Sequence, residues 1–309
     1  MGSLPLAVEM GTISPPMLVV LAIVTFAYFQ RVRALSGDPR RRVSGWRQFS
    51  FGCAIFLLVA EPISPLGAWD DRSFTVHMIE HLSIGDLASL LMVLGLTGPL
   101  IQPLLRNPVI QLIRPLTEPI PAFIFWVVNL FFWHLPFAME GALNSDWVHV
   151  IQHICFFSVG FNVWMALFGP LPKPDWFGNV AKLAYLVLLR MAGVALGNFF
   201  VFSGKVFYPT YEHVHNPLGM TPLADQSVAG AVMMGEGSFI AFVLLGYLFF
   251  KAASESEESQ RLQELASEHG VEMSRQRSDR AAAAGTGDFL RERISSSGSL
   301  DKNDDSDLS

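Results

Sequence analysis

FTVHMIEHLSIGDLASLLMVLGLT, residues 74–97, is the stretch whose reading decides the fold. As one helix it is long enough to cross the ~30 Å hydrocarbon core of a bilayer. Yet it carries His77, Glu80, His81 and Asp86 within an apolar run. Six further blocks of similar length flank it, at 15–33, 47–66, 119–139, 146–168, 180–203 and 222–250. Gly and Pro punctuate the joins, as at Pro62 and Pro65, Gly98-Pro99, Gly169-Pro170 and Pro217 to Gly219. The predicted fold is all-α, a polytopic bundle of seven transmembrane helices embedded in a lipid bilayer. Composition agrees: 51% of residues are hydrophobic and 16% charged, where soluble domains carry ~25% charged residues. The stretch 99–116 is broken by Pro103, Pro108 and Pro115 and reads as an interfacial segment.

Basic residues set the expected orientation. Arg31, Arg33, Arg40, Arg41, Arg42 and Arg47 fill the first loop, Arg106 and Arg114 the third, and Lys173 with Lys182 the fifth, while Lys251 opens the tail. The alternate loops are poor in cations; 67–73 has Arg72 beside Asp70 and Asp71. This pattern puts the N-terminus outside and the C-terminus in the cytoplasm. No Lys or Arg precedes the first apolar block, so it reads as a retained helix and not a cleavable signal. The expected organisation is a short extracytoplasmic N-terminus (1–14), a membrane domain (15–250) and a disordered, acidic, Ser-rich cytoplasmic tail (251–309), with at most a short helix at 255–268.

The net charge of −6 is concentrated in that tail, where 13 acidic and 8 basic residues leave −5. Nothing reads as a nucleic-acid surface. Cys53 and Cys155 form no C-x-x-C pair. No nucleophile–base arrangement, phosphate-binding loop or zinc-protease motif is present, so no enzyme activity is expected.

Seven of the eight histidines lie between positions 77 and 215. His77 with His81, and His149 with His153, have i, i+4 spacing, which puts each pair on one helix face a turn apart. Both helices enter from outside, so these rings fall about 5–10 Å below the outer boundary. His134, near the end of a helix running the other way, lies about 8 Å deep. Imidazoles near hydrocarbon are costly unless partnered, and neutral imidazole ligates copper, zinc and iron. His77, His81, His134, His149 and His153 are therefore the candidate metal ligands. Near them lie Glu61, Met78, Glu80, His213 and His215 as auxiliary groups. Asp225 is the candidate acceptor that fixes a ligand's tautomer, and thioethers suit Cu(I). Separately, Arg190 falls in mid-membrane with Asp86 and Glu236, where an unpaired guanidinium would be expensive. These three are the candidate buried ion pair.

His77-Met78-Ile79-Glu80-His81, Phe132-Trp133-His134-Leu135-Pro136 and His149-Val150-Ile151-Gln152-His153 resemble motifs of the CtaG family of cytochrome c oxidase assembly factors in its multi-pass form. So do Leu223-Ala224-Asp225-Gln226 and the stretch with Phe202-Ser203, Tyr208-Pro209 and Tyr211. The sequence departs from the family pattern at Glu80, where Gln is common, and at Met233-Met234-Gly235-Glu236. The resemblance implies a seven-helix protein of the bacterial plasma membrane, needed to build haem–copper oxidase of the caa type. It further implies copper handling, with haem–copper oxidase subunits as partners. Two other readings of the histidines stand beside this one. His81 and His153 are placed as axial ligands of one haem in an oxidoreductase, or the ligands belong to a copper transporter. A transport path should carry ligands at several depths, whereas these crowd one side.

Overall fold

A computed structural model describes residues 14–304; residues 1–13 of the expected N-terminal segment and the last five of the tail lie outside the described residues. Every regular element among the described residues is helical. The longer ones up to Glu268 are, in order, α1 (Pro15–Leu35), α2 (Gly45–Trp69), α3 (Phe74–Gly95), α4 (Pro108–Thr117), α5 (Pro119–Trp133), α6 (Pro136–Leu143), α7 (Asp146–Phe168), α8 (Asn179–Phe202) and α9 (Pro222–Glu268). Six are long and apolar enough to cross a membrane, and a seventh span results if α4 and α5, bent by 78°, are one broken crossing. Between α3 and α5 the chain runs through short helical turns with Leu104, Val109 and Leu112 exposed.

The fourth span is shorter than the sequence suggests. The helix expected over 119–139 ends at Trp133, and a separate helix begins at Pro136. Leu135 is extended (φ −69°, ψ 138°) because the ring of a following proline crowds the α conformation. His134 thus leaves the helix and caps it instead of projecting from its flank.

Side chains are sorted as a bilayer requires. Phe26, Phe56 and Leu188 face outward, whereas His77, Glu80, Gln152 and Asp225 are buried. The span α3 is the centre: most of its residues are buried, whereas most of those of α1 are exposed. It meets α7 backbone to backbone: a Cβ on Gly160 would come within 1.9 Å of the Gly85 carbonyl oxygen. Small residues permit such approach where lipid supplies no hydrophobic drive. Gly197 and Gly230 do the same for α8 and α9, where a Cβ on Gly230 would lie 2.5 Å from the Gly197 oxygen. Midway along α3, Ser83–Ala88 widens into a π-helical turn.

The chain divides into two compact units, one holding the chain to Phe177 with Val187–Ile240, the other Gly178–Leu186 with the chain from Ala241. The second unit is helical where it is described. Helix α9 runs unbroken to Glu268, and α10 (Arg275–Ala284) and α11 (Gly287–Asp304) follow. Leu262 and Ala266 bury against Ala281 and Ile294, with Leu265, Val271, Met273 and Leu290 around them. Gly270 and Gly285 take φ of +70° and +66° and close α9 and α10, the left-handed cap that glycine alone adopts freely.

Candidate functional site

The site begins at the N-terminus of α3. Its first backbone N–H groups have no partner within the helix. Asp225, from the start of α9, accepts from the Phe74 and Thr75 amides at 2.7 and 3.1 Å and from Ser73 Oγ at 2.9 Å. Thr75 Oγ1 donates to the Asp225 carbonyl at 3.0 Å. A carboxylate at the positive end of a helix is the favourable arrangement. It fixes the rotation and height of α3, and with them His77 and His81.

Those two rings meet at 2.7 Å, Nε2 to Nε2. Across from them α7 presents its own pair. His149 stacks on His77 with centroids 5.1 Å apart, His153 lies 5.0 Å from His81, and His149 and His153 are 4.2 Å apart. Four imidazoles from two helices therefore form one cluster, as the paired spacing leads one to expect. Ligand atoms of His77, His81 and His149 lie within 4.8 Å of one another, and so do those of Asp70, His77, Glu80 and His149.

Carboxylates line the cluster. Asp70 Oδ2 is 3.5 Å from His149 Nδ1, while Glu80 reaches His149 Nε2 at 3.8 Å and His153 Nε2 at 3.3 Å. Burial, with Asp71 adding to it, pushes the Asp70 carboxyl up to about 6. Glu61 is buried in α2 beside Glu80. Nδ1 of His77 and of His81 has no hydrogen-bond partner among the described residues, while Nε2 of His149 and of His153 faces Glu80. Buried polar atoms normally find partners, so this concentration marks a place built for something other than packing. Imidazole with carboxylate suits a borderline divalent ion, and the donor set fits one.

The loop after α8 roofs the site. Tyr211 donates to the Asp70 carbonyl at 3.0 Å and Tyr208 to the His134 carbonyl at 2.9 Å. Gln226 pins the loop in turn, accepting from the Phe207 amide at 2.9 Å and donating to the Lys205 carbonyl at 2.9 Å. The tyrosines and the Asp225-Gln226 pair thus act by holding α3 and its roof.

The remaining sequence candidates sort differently. His134 stands apart from the four, with Nδ1 2.7 Å from the Leu130 carbonyl and Nε2 3.4 Å from Met78 Sδ. Met78 accordingly faces His134. His213 and His215 are exposed on the loop. Asp225 accepts no hydrogen bond from a histidine ring among the described residues; its partners are the α3 amides and hydroxyls. Asp70, which the sequence reading placed only as a loop anion, sits against His149. Its one sequence signal is a carboxylate in a cation-poor loop directly ahead of the first histidine pair.

Deeper in the bundle, Arg190 Nη2 is 3.4 Å from Asp86 Oδ2. The guanidinium lies over Gly237, where a Cβ would come 1.7 Å from Nη1. Glu236 is nearby, its oxygens without hydrogen-bond partners among the described residues. Five residues apart, His81 and Asp86 would face about 140° apart on an ideal α-helix. The π turn brings both onto one cavity of about 50 Å³, shared with Met78, His134, Arg190 and Met233.

Residues 26–255 match a model of the cytochrome c oxidase caa3 assembly factor family (Caa3_CtaG). Uncharacterised proteins of Mycobacterium bovis and Mycobacterium tuberculosis are each 27% identical over 237 residues, 69% of this chain. One of Mycobacterium leprae is 24% identical over the same length. The match takes in 34% of each relative, so the chain spans about a third of the length of these curated relatives. No solved structure matches.

Proposed function

The chain belongs to the cytochrome c oxidase caa3 assembly factor family, and on that premise we propose that it holds copper at the histidine cluster and passes it to an oxidase subunit. The observation that carries this reading is the convergence of His77, His81, His149 and His153 with Asp70 and Glu80. Imidazole nitrogens supply the ligands. Asp70 and Glu80 orient the α7 rings and offset the ion's charge. Asp225, Tyr208 and Tyr211 hold the frame and touch no ion.

The cluster lies near the starts of α3 and α7, which the distribution of Lys and Arg puts at the extracytoplasmic side of a bacterial plasma membrane. A site close to that rim can be reached by a partner in the same membrane or outside it. That suits a carrier that must release its ion. A haem between His81 and His153 is disfavoured, because their rings are in edge contact at 5.0 Å and leave no slot for a porphyrin.

The test is elemental analysis of the purified full chain after copper loading and desalting. Retained copper that is lost in His81→Ala and in His149→Ala is the expected result. Equal copper in all three proteins would overturn the assignment.

A further inference from the structure

The structure assigns a second, softer metal site to His134 and Met78, facing the internal cavity, and we propose that it takes a monovalent soft cation such as Cu(I) or Ag(I). The argument needs only these two side chains and stands whether or not the four-histidine cluster holds an ion.

A carbonyl oxygen can only accept, so the 2.7 Å contact between His134 Nδ1 and the Leu130 carbonyl places the ring hydrogen on Nδ1. The ring packs against Phe156 and Phe200, and such a setting disfavours a second proton. Nε2 of the remaining neutral imidazole is then a bare lone pair. It points at Met78 Sδ, 3.4 Å away, and a thioether also has lone pairs and no hydrogen to give. Two acceptors face each other in a buried place, and neither can satisfy the other. A cation that accepts electron pairs from both resolves the contact. Nitrogen with thioether sulfur is the donor combination of a soft ion, and a backbone carbonyl on the second ring nitrogen is the usual means of fixing a ligand histidine.

Space and a further donor are present. Both residues line the cavity of about 50 Å³, more than the ~10–15 Å³ that one water needs. Met233, buried in α9, lines it too and offers a second thioether. His81 closes the same cavity from the cluster side. An ion leaving His81 would thus meet His134 and Met78 across a single cavity. Tyr208, by holding the His134 carbonyl at 2.9 Å, keeps the ring at the cavity wall.

Ag(I) is the probe, since it does not change oxidation state in air-equilibrated buffer. Cys53 and Cys155 are replaced by Ala beforehand so that no thiol competes. The full chain in detergent, with its methionine methyl groups labelled with ¹³C, is titrated with Ag(I). A shift of the Met78 methyl resonance, and loss of one bound Ag(I) per chain in Met78→Leu, are expected. His149→Ala should leave the Met78 shift intact, which separates this site from the cluster. An unmoved Met78 resonance, or undiminished Ag(I) in Met78→Leu, would overturn the proposal and leave water as the cavity's occupant. The resonance is read in protein with Met78 in place, so the result does not depend on how the variant folds.

Discussion

At the scale of the residue, Asp225, expected from the sequence to fix a ligand's tautomer, instead holds the start of α3. One carboxylate accepts three hydrogen bonds from the first turn of α3, and hydrogen bonds to a buried charge are worth ~1.5–3 kcal/mol each. Asp225→Ala strands those donors and should cost at least about 3 kcal/mol, read as lowered thermal stability in detergent with weakened copper retention. Tyr211→Phe removes one hydrogen bond to the Asp70 carbonyl and should cost about 1 kcal/mol, with a fold that remains intact by circular dichroism. The four clustered histidines were legible because i, i+4 spacing is a local property of a helix. The partners of Asp225 were not, because they lie about 150 positions away in the chain. The orientation of His134 was not legible either, because the Leu135-Pro136 break turns it off the helix flank toward Met78.

At the scale of the element, the decisive contact is the crossing of α3 and α7 at Gly85 and Gly160. The histidines sit about one to three turns from this point, so the crossing sets how closely the rings approach. Gly160→Leu would drive a side chain into the Gly85 carbonyl. Overpacking typically costs ~1–3 kcal/mol, and the variant should show a lower melting temperature and diminished copper retention together. Normal stability and normal retention would contradict the role given to this crossing. The spans themselves were readable from hydropathy. The extent of α9 was not, because beyond Phe250 the helix continues as a charged stripe around Leu262, Leu265 and Ala266 and gives no membrane signal. Helix α9 needs only that narrow apolar seam to pack with α10 and α11. Leu262→Asp, which puts a charge into the seam, should make residues 275–296 susceptible to limited proteolysis while the membrane helices stay protected.

At the scale of the whole molecule, the account joins an orientation to a site. The proposed orientation has the loop bearing His213 outside, and both His213 and His215 are exposed. His213→Cys, in a chain with Cys53 and Cys155 replaced, should react with a membrane-impermeant maleimide in spheroplasts; labelling only after lysis would reverse the topology. The central claim is that imidazoles from α3 and α7 share one ion. X-ray absorption of the copper-loaded chain measures it most directly. The account predicts a nitrogen and oxygen shell with the outer-sphere scattering of several imidazoles, reduced in His149→Ala. A copper spectrum without imidazole scattering, or one identical in the two proteins, would contradict it.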